Sequence, residues 1–194
     1  MAIQVGGTQV ISNSQGLTNI ASVDSTTAAS ITSAGVGGGW SQQSTGTISG
    51  ATPEVSIPNA NFVRIYFYNW KHTGSVTTDY MRFRKVGDSS VDSGFNYAEA
   101  SIYTNTATIT DTNTTALTIQ QQSNGINNTG MLTLHFPRAT RSVFGEWKNM
   151  MDNGAAFAHN NWFLHRVTTG IDRLRIFTLA GSNTYAGNYE VWTA

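Results

Sequence analysis

Apolar and polar positions along this chain alternate in short runs of period two, and clusters of Gly, Asn, Ser and Thr break the runs. Period two marks strands that bury one face, because successive side chains point to opposite sides of a sheet. The strongest run closes the chain. Residues 173–194 read RLRIFTLAGSNTYAGNYEVWTA, two stretches rich in β-branched and aromatic residues about a Gly-Ser-Asn centre. That composition predicts a closing β-hairpin. Its first stretch sets Leu174, Ile176 and Thr178 on one face, expected toward the core, and Arg173, Arg175 and Phe177 on the other. Gly187 in its second stretch marks a bulge, a bend or a close backbone approach.

Upstream, residues 61–70 (NFVRIYFYNW) place Phe62, Arg64, Tyr66 and Tyr68 on one face and Val63, Ile65, Phe67 and Asn69 on the other. The run is apolar enough for an internal strand. Further strands are expected at 80–86, from 94–97, and at 98–109, 116–121, 131–136 and 162–167. Turns fall at 73–75, 87–90, 110–115 and 123–130, and residues 145–154 (GEWKNMMDNG) read as a short helix. Eight or so short strands separated by polar turns predict an all-β fold: a jelly-roll-like antiparallel β-sandwich over 41–194, with an N-terminal extended arm over 1–40.

Charge marks the boundary of that arm. Residues 1–63 hold no Lys or Arg and only two acids, Asp24 and Glu54, whereas all eleven basic residues fall between Arg64 and Arg175. The arm ends in a glycine joint, Gly35, Gly37, Gly38 and Gly39, suited to a flexible link. Its aliphatic residues Val10, Ile11, Leu17, Ile20, Val23 and Ile31 are too sparse for a private core. An attachment arm would bury them on another protein; the alternative is a disordered leader. Asp24 or Ser25 is placed to cap a short helix running to Ser33 and stopped by Gly35.

Charged residues make up 11% of the chain and the net charge is zero, against about a quarter charged in ordinary soluble domains. Such a surface is expected to be covered by copies of the same chain or by neighbouring proteins. The absence of cysteine excludes disulfides and thiolate metal sites. No basic excess points to nucleic acid, no apolar run approaches the eighteen residues of a membrane span, and the start of the chain lacks the pattern of a signal peptide.

Both ends of the chain bear a resemblance. The phrase VISNSQGLTNIASVDSTTAASI, followed by its glycine joint, resembles N-terminal segments of fibre and other structural proteins of tailed bacteriophages, particularly those of marine and cyanobacterial phages. The closing LRIFTLAGSNTYAGNYEVW is similar to the last motif of β-rich modules in the same class of virion proteins. The resemblance covers about a third of the chain. It implies a fibre or spike located in the virion: a tail fibre or a capsid-surface decoration, homotrimeric, and partnered by capsid, portal, tail or fibre-adaptor proteins. It names no ligand and no catalytic residue.

The chemical motifs are mostly negative. GxSxG, HExxH, the GKS/GKT phosphate loop and CxxC do not occur, and His72, His135, His159 and His165 lack ligand spacing, so no catalytic residue, metal site or cofactor is expected. Asp88 and Asp92 sit in the turn GDSSVDSG, where carboxylates satisfy local backbone groups. Two clusters carry the aromatic and polar groups of a glycan surface: Tyr68, Trp70 and His72, and Asn160, Asn161 and Trp162 beside His159. The competing reading of each is core, because packing consumes most of the aromatic residues in a sandwich. The expectation is therefore a non-enzymatic virion protein that adheres to a host-surface glycan, the alternative being a carbohydrate-binding module or a small polysaccharide depolymerase.

Overall fold

The structure, a computed structural model, describes residues 3–5, 8–11, 39–74, 77–94, 97–103, 106–122, 127–138, 142–151, 157–166, 168–178 and 183–194. The chain divides into two compact units, Met1–Gly39 and Trp40–Ala194. In the first, β1 (Ile3–Val5) pairs antiparallel with β2 (Thr8–Ile11), the strand that contains Val10 and Ile11. Leu17, Ile20, Val23 and Ile31, with the short helix expected before Gly35, lie outside the described residues.

The second unit holds β3 (Ser41–Gly50), β4 (Glu54–Ser56), β5 (Phe62–Thr73), β6 (Thr77–Lys85), β7 (Tyr97–Tyr103), β8 (Thr106–Thr114) and β9 (Leu117–Gln122). It continues with β10 (Asn128–His135), β11 (Val143–Met151), β12 (Phe157–His165), β13 (Ile171–Thr178) and β14 (Thr184–Thr193). A large sheet runs β3-β14-β5-β10-β11-β12-β7-β8, and a small one runs β4-β13-β6-β9. Position by position, the first four strands of the large sheet and the four of the small sheet are chain neighbours: β3 with β4, β14 with β13, β5 with β6, β10 with β9. The chain thus crosses between sheets at each of these connections, which is the double Greek key of a jelly roll. The two hairpins β7-β8 and β11-β12 are insertions, and both lengthen the same sheet.

The core lies between the sheets. Trp147 meets Phe67 and Trp70 edge-on at 5.6 and 6.3 Å, and Phe83 stacks on Phe163 at 5.5 Å. All five are buried, each worth about 2–3 kcal/mol of transfer free energy. Cross-sheet hydrogen bonds tie the layers, among them Trp147 Nε1–H to Ile119 O at 2.8 Å and Asn161 Nδ2–H to Thr118 O at 2.9 Å.

Three sequence expectations are corrected. The closing segments form no hairpin, because β13 lies between β4 and β6 in the small sheet while β14 lies between β3 and β5 in the large one. Both carry inward apolar sets, including Leu174 and Ile176 on one and Tyr185 and Val191 on the other, so they pack face to face instead of edge to edge. The helix expected at 145–154 is β11 as far as Met151. Val143, Gly145, Trp147 and Asn149 point inward and alternate with outward Phe144, Glu146, Lys148 and Met150, and pairing on both edges overrides the helical composition. The single strand expected at 98–109 and the turn expected at 110–115 are together the hairpin β7-β8, whose second strand runs to Thr114. The sequence also hid β3, whose SQQSTGTISG buries only Ile48 and therefore shows no alternation.

Candidate functional site

The outer faces of the two sheets differ in chemistry. On the small sheet, Arg173 and Arg175 share Glu54, and Arg84 grips Asp172 through two bonds of 2.8 and 2.9 Å. Burial raises the Glu54 pKa, but the hydrogen bonds from Arg175 and Arg173 outweigh it and hold the carboxyl below its usual range; the Arg84 bond does the same for Asp172. These charges are consumed by one another. The outer face of the large sheet is instead aromatic and sparsely charged.

A bulge in β5 decides which aromatic residues reach that face. Lys71 and Tyr68 pair with Ala186 and Asn188 of β14, and Trp70 and Phe67 pair with Asn128 and Gly130 of β10, so β5 carries one residue more than either neighbour. The extra residue is Asn69, exposed and left-handed at φ 52°. The inward set is therefore Val63, Ile65 and Phe67 before the bulge and Trp70 and His72 after it. Gly187 of β14 faces this bulge at φ 154°, and a Cβ there would stand 2.6 Å from Trp70 Cα.

The bulge splits the first glycan cluster expected from the sequence. Tyr68 is half-buried on the outer face, whereas Trp70 and His72 are fully buried and offer no surface to a ligand. His72 Nδ1–H instead donates to Asp79 at 3.2 Å, and the Tyr185 hydroxyl donates to the same carboxylate at 2.7 Å. Burial, then the Asp79 charge, drives the Tyr185 pKa upward. Strict alternation in β12 splits the second cluster: Asn161 points inward, while Asn160 and Trp162 are half-exposed outside. The His159 side chain lies outside the described ones.

Asp92 accepts Gly94 N–H at 2.9 Å through Oδ1, as the turn reading required. Its Oδ2 accepts from His165 Nε2 at 3.0 Å and lies 3.7 Å from Lys85 Nζ. The Tyr97 ring stacks on His165 at 4.3 Å, and burial brings the His165 pKa down to about 4. This group and the His72 cluster are internal ties. No group of three or more potential metal ligands occurs among the described residues.

The open site lies across β14 and β5. Trp192 pairs with Arg64 and Glu190 with Tyr66, which brings the outward side chains of both strands together. With Trp40 they line an open groove of about 380 Å³. Arg64 stacks its guanidinium over the Trp40 ring at 4.2 Å, makes no ion pair among the described residues, and has a buried Nε without a partner. Trp192 Nε1–H donates to Glu190 Oε2 at 3.0 Å, fixing the carboxylate beside the ring. The sequence did set Arg64 and Tyr66 on one face. Trp40, Glu190 and Trp192 went unremarked as site residues; the one local signal was the two-residue spacing of Glu190 and Trp192, because only the pairing of β14 with β5 assembles the groove.

No protein-family model and no curated protein matches the chain. Among solved structures, a legume lectin-like domain from Entamoeba histolytica is similar at TM-score 0.24 and 9% identity, over 80% of this chain and 84% of that one. The CBM2 module of the evolved Dit of Lactobacillus casei BL23 phage J-1 is similar at TM-score 0.23 and 9% identity, over 74% and 70%. Scores this low do not establish a common fold.

Proposed function

We propose that the chain is a non-enzymatic structural protein of a phage virion, a short fibre or spike whose first forty residues attach it to other virion proteins and whose jelly-roll body adheres to a host-surface glycan. The groove carries this reading. Trp40, Tyr66 and Trp192 supply aromatic walls, Arg64 has donors that no described carboxylate takes, and Glu190 is a fixed acceptor. Sugars present an apolar C–H face to a ring and hydroxyls to donors and acceptors at its rim, which is the mixture these five residues offer. The virion context is supported by the resemblance at both ends of the chain. Absence of catalysis is supported by the sequence alone, which holds no GxSxG, HExxH or GKS/GKT motif. A homotrimer fits the 11% charge content.

The test is a glycan array with the full chain and its Trp192→Ala variant. The expected result is binding to at least one glycan, weakened about tenfold or more in the variant, equivalent to ~1.4 kcal/mol, with an unchanged circular dichroism spectrum. Equal binding by both proteins, or by neither, would remove the groove from the function.

A further inference from the structure

Sheet register extends the groove into a longer track. Residues directly opposite one another across the large sheet form rows perpendicular to the strands, and one outward row reads Trp192, Arg64, Thr133, Glu146, Trp162, Ala100 from β14 to β7. The next reads Glu190, Tyr66, Met131, Lys148, Asn160. The far end of these rows repeats the chemistry of the groove. Trp162 is half-exposed, Glu146 and Lys148 stand beside it as an ion pair of 3.1 Å, and Asn160 adds a donor and an acceptor. Ala100 directly opposite Trp162 is too small to cover the ring. Between the ends lies Thr133, short and only 8% exposed, a low point between Arg64 and Glu146.

We infer that the large sheet binds an extended, uncharged polysaccharide chain running across its strands, with Trp192 and Trp162 as the two stacking platforms. The inference rests on the proposed glycan-binding function and names its ligand class. Trp192 and Trp162 are separated by four interstrand steps, about 19 Å, a span of roughly four sugar rings. Each platform stands beside one cation and one carboxylate, Arg64 with Glu190 and Lys148 with Glu146. That neutral balance suits a polyol whose hydroxyls both donate and accept, and gives neither end a preference for an anionic or a cationic polymer. A short glycan would engage one end only. A long chain engages both, and the second contact becomes intramolecular once the first is made.

Affinity electrophoresis of the full chain through gels containing dextran, mannan, galactan, xylan, alginate or hyaluronan tests this. Retardation is expected on at least one of the four neutral polymers and on neither acidic one. Trp192→Ala and Trp162→Ala should each relieve it at least tenfold, and the hexasaccharide of the retarding polymer should compete where its disaccharide does not. If Trp192→Ala relieves retardation and Trp162→Ala does not, or if the disaccharide competes as well as the hexasaccharide, the groove stands and the extended track is overturned. Retardation by acidic polymers alone overturns the ligand class, and no retardation by any polymer overturns the track. Sedimentation of Trp162→Ala separates a further outcome: a drop in mass relative to the parent would make this row a contact between subunits and would also overturn the proposal.

Discussion

Removing one residue from β5 should be tolerated at Asn69 and almost nowhere else nearby. Two residues of β14 and two of β10 span the stretch that β5 covers with three. Deleting Asn69 therefore leaves Val63, Ile65, Phe67, Trp70 and His72 all facing inward in regular alternation. The lost residue is exposed and left-handed, a conformation that costs an L-residue about 1 kcal/mol. Against this gain, Gly187 and the Trp70 backbone are fitted to the bulge, and repacking them costs about 1–3 kcal/mol. The net loss should stay within about 0–2 kcal/mol. Deleting Lys71 is different, because either His72 leaves its Asp79 partner or, if the bulge is straightened to compensate, Trp70 turns outward. Losing a buried Trp costs about 3–5 kcal/mol, and taking His72 from Asp79, which keeps the Tyr185 hydroxyl, costs about 1–3 kcal/mol. Guanidinium unfolding followed by tryptophan fluorescence would read both midpoints. If the two deletions destabilise equally, or if the Asn69 deletion does not fold, the bulge does more than keep the inward phase and this reasoning fails.

Ile176→Asp buries an unpaired carboxylate at a position 1% exposed. It should abolish soluble folded protein at a cost of several kcal/mol, so an unchanged melting temperature would contradict the placement of β13. Gly145→Val drives a side chain into Phe163, whose nearest ring atom would lie 2.3 Å from the new Cβ. The expected loss is about 1–3 kcal/mol in thermal or chemical unfolding. His165 has its folded pKa lowered to about 4, chiefly by burial, so the unfolded chain binds more protons below its ordinary value of ~6.5. Stability is full above that value and falls as the pH drops toward 4, by up to about 3 kcal/mol. His165→Gln, which keeps a donor for Asp92, should flatten that part of the stability profile. Removing residues 1–39 should leave 40–194 folded and still bound to glycan while abolishing incorporation into phage particles. Particle-associated truncated protein, detected by immunoblot of purified virions, would place attachment elsewhere.

Alternation carried much of the fold into view. The inward set of β13 and the two faces of β5 up to Tyr68 follow directly from the period, as does the all-β class. What period two could not convey is partnership. Nothing local in residues 173–194 separates a hairpin from two strands that face each other across a core, since both need apolar alternation on either side of a short connection. The bulge was equally hidden: Asn69 is an ordinary polar residue in a strand until its neighbours prove one residue shorter, and that single count separates Trp70 and His72 from Tyr68, with which the candidate glycan cluster grouped them. β11 looked helical because Glu146, Lys148 and the two methionines favour helices, and pairing on two edges outweighed them. The groove depended on register between strands more than a hundred positions apart, which no local pattern encodes.

The interleaving of β13 and β14 has a consequence for how the chain is made. β14 fills a slot between β3 and β5, and β13 fills one between β4 and β6. Until these last two strands have left the ribosome, each sheet has a gap where two strands lack their shared neighbour, and their backbone groups stand open to other chains. Closure must then bring Thr193 beside Ser41 and Val63, across most of the body's length. Contacts so distant in sequence place the protein among slow folders, on the scale of milliseconds to seconds or longer. A ribosome that stalls or a protease that trims before residue 171 would release not a shorter domain but two unfinished sheets, so the yield of folded protein depends on how quickly β13 and β14 arrive.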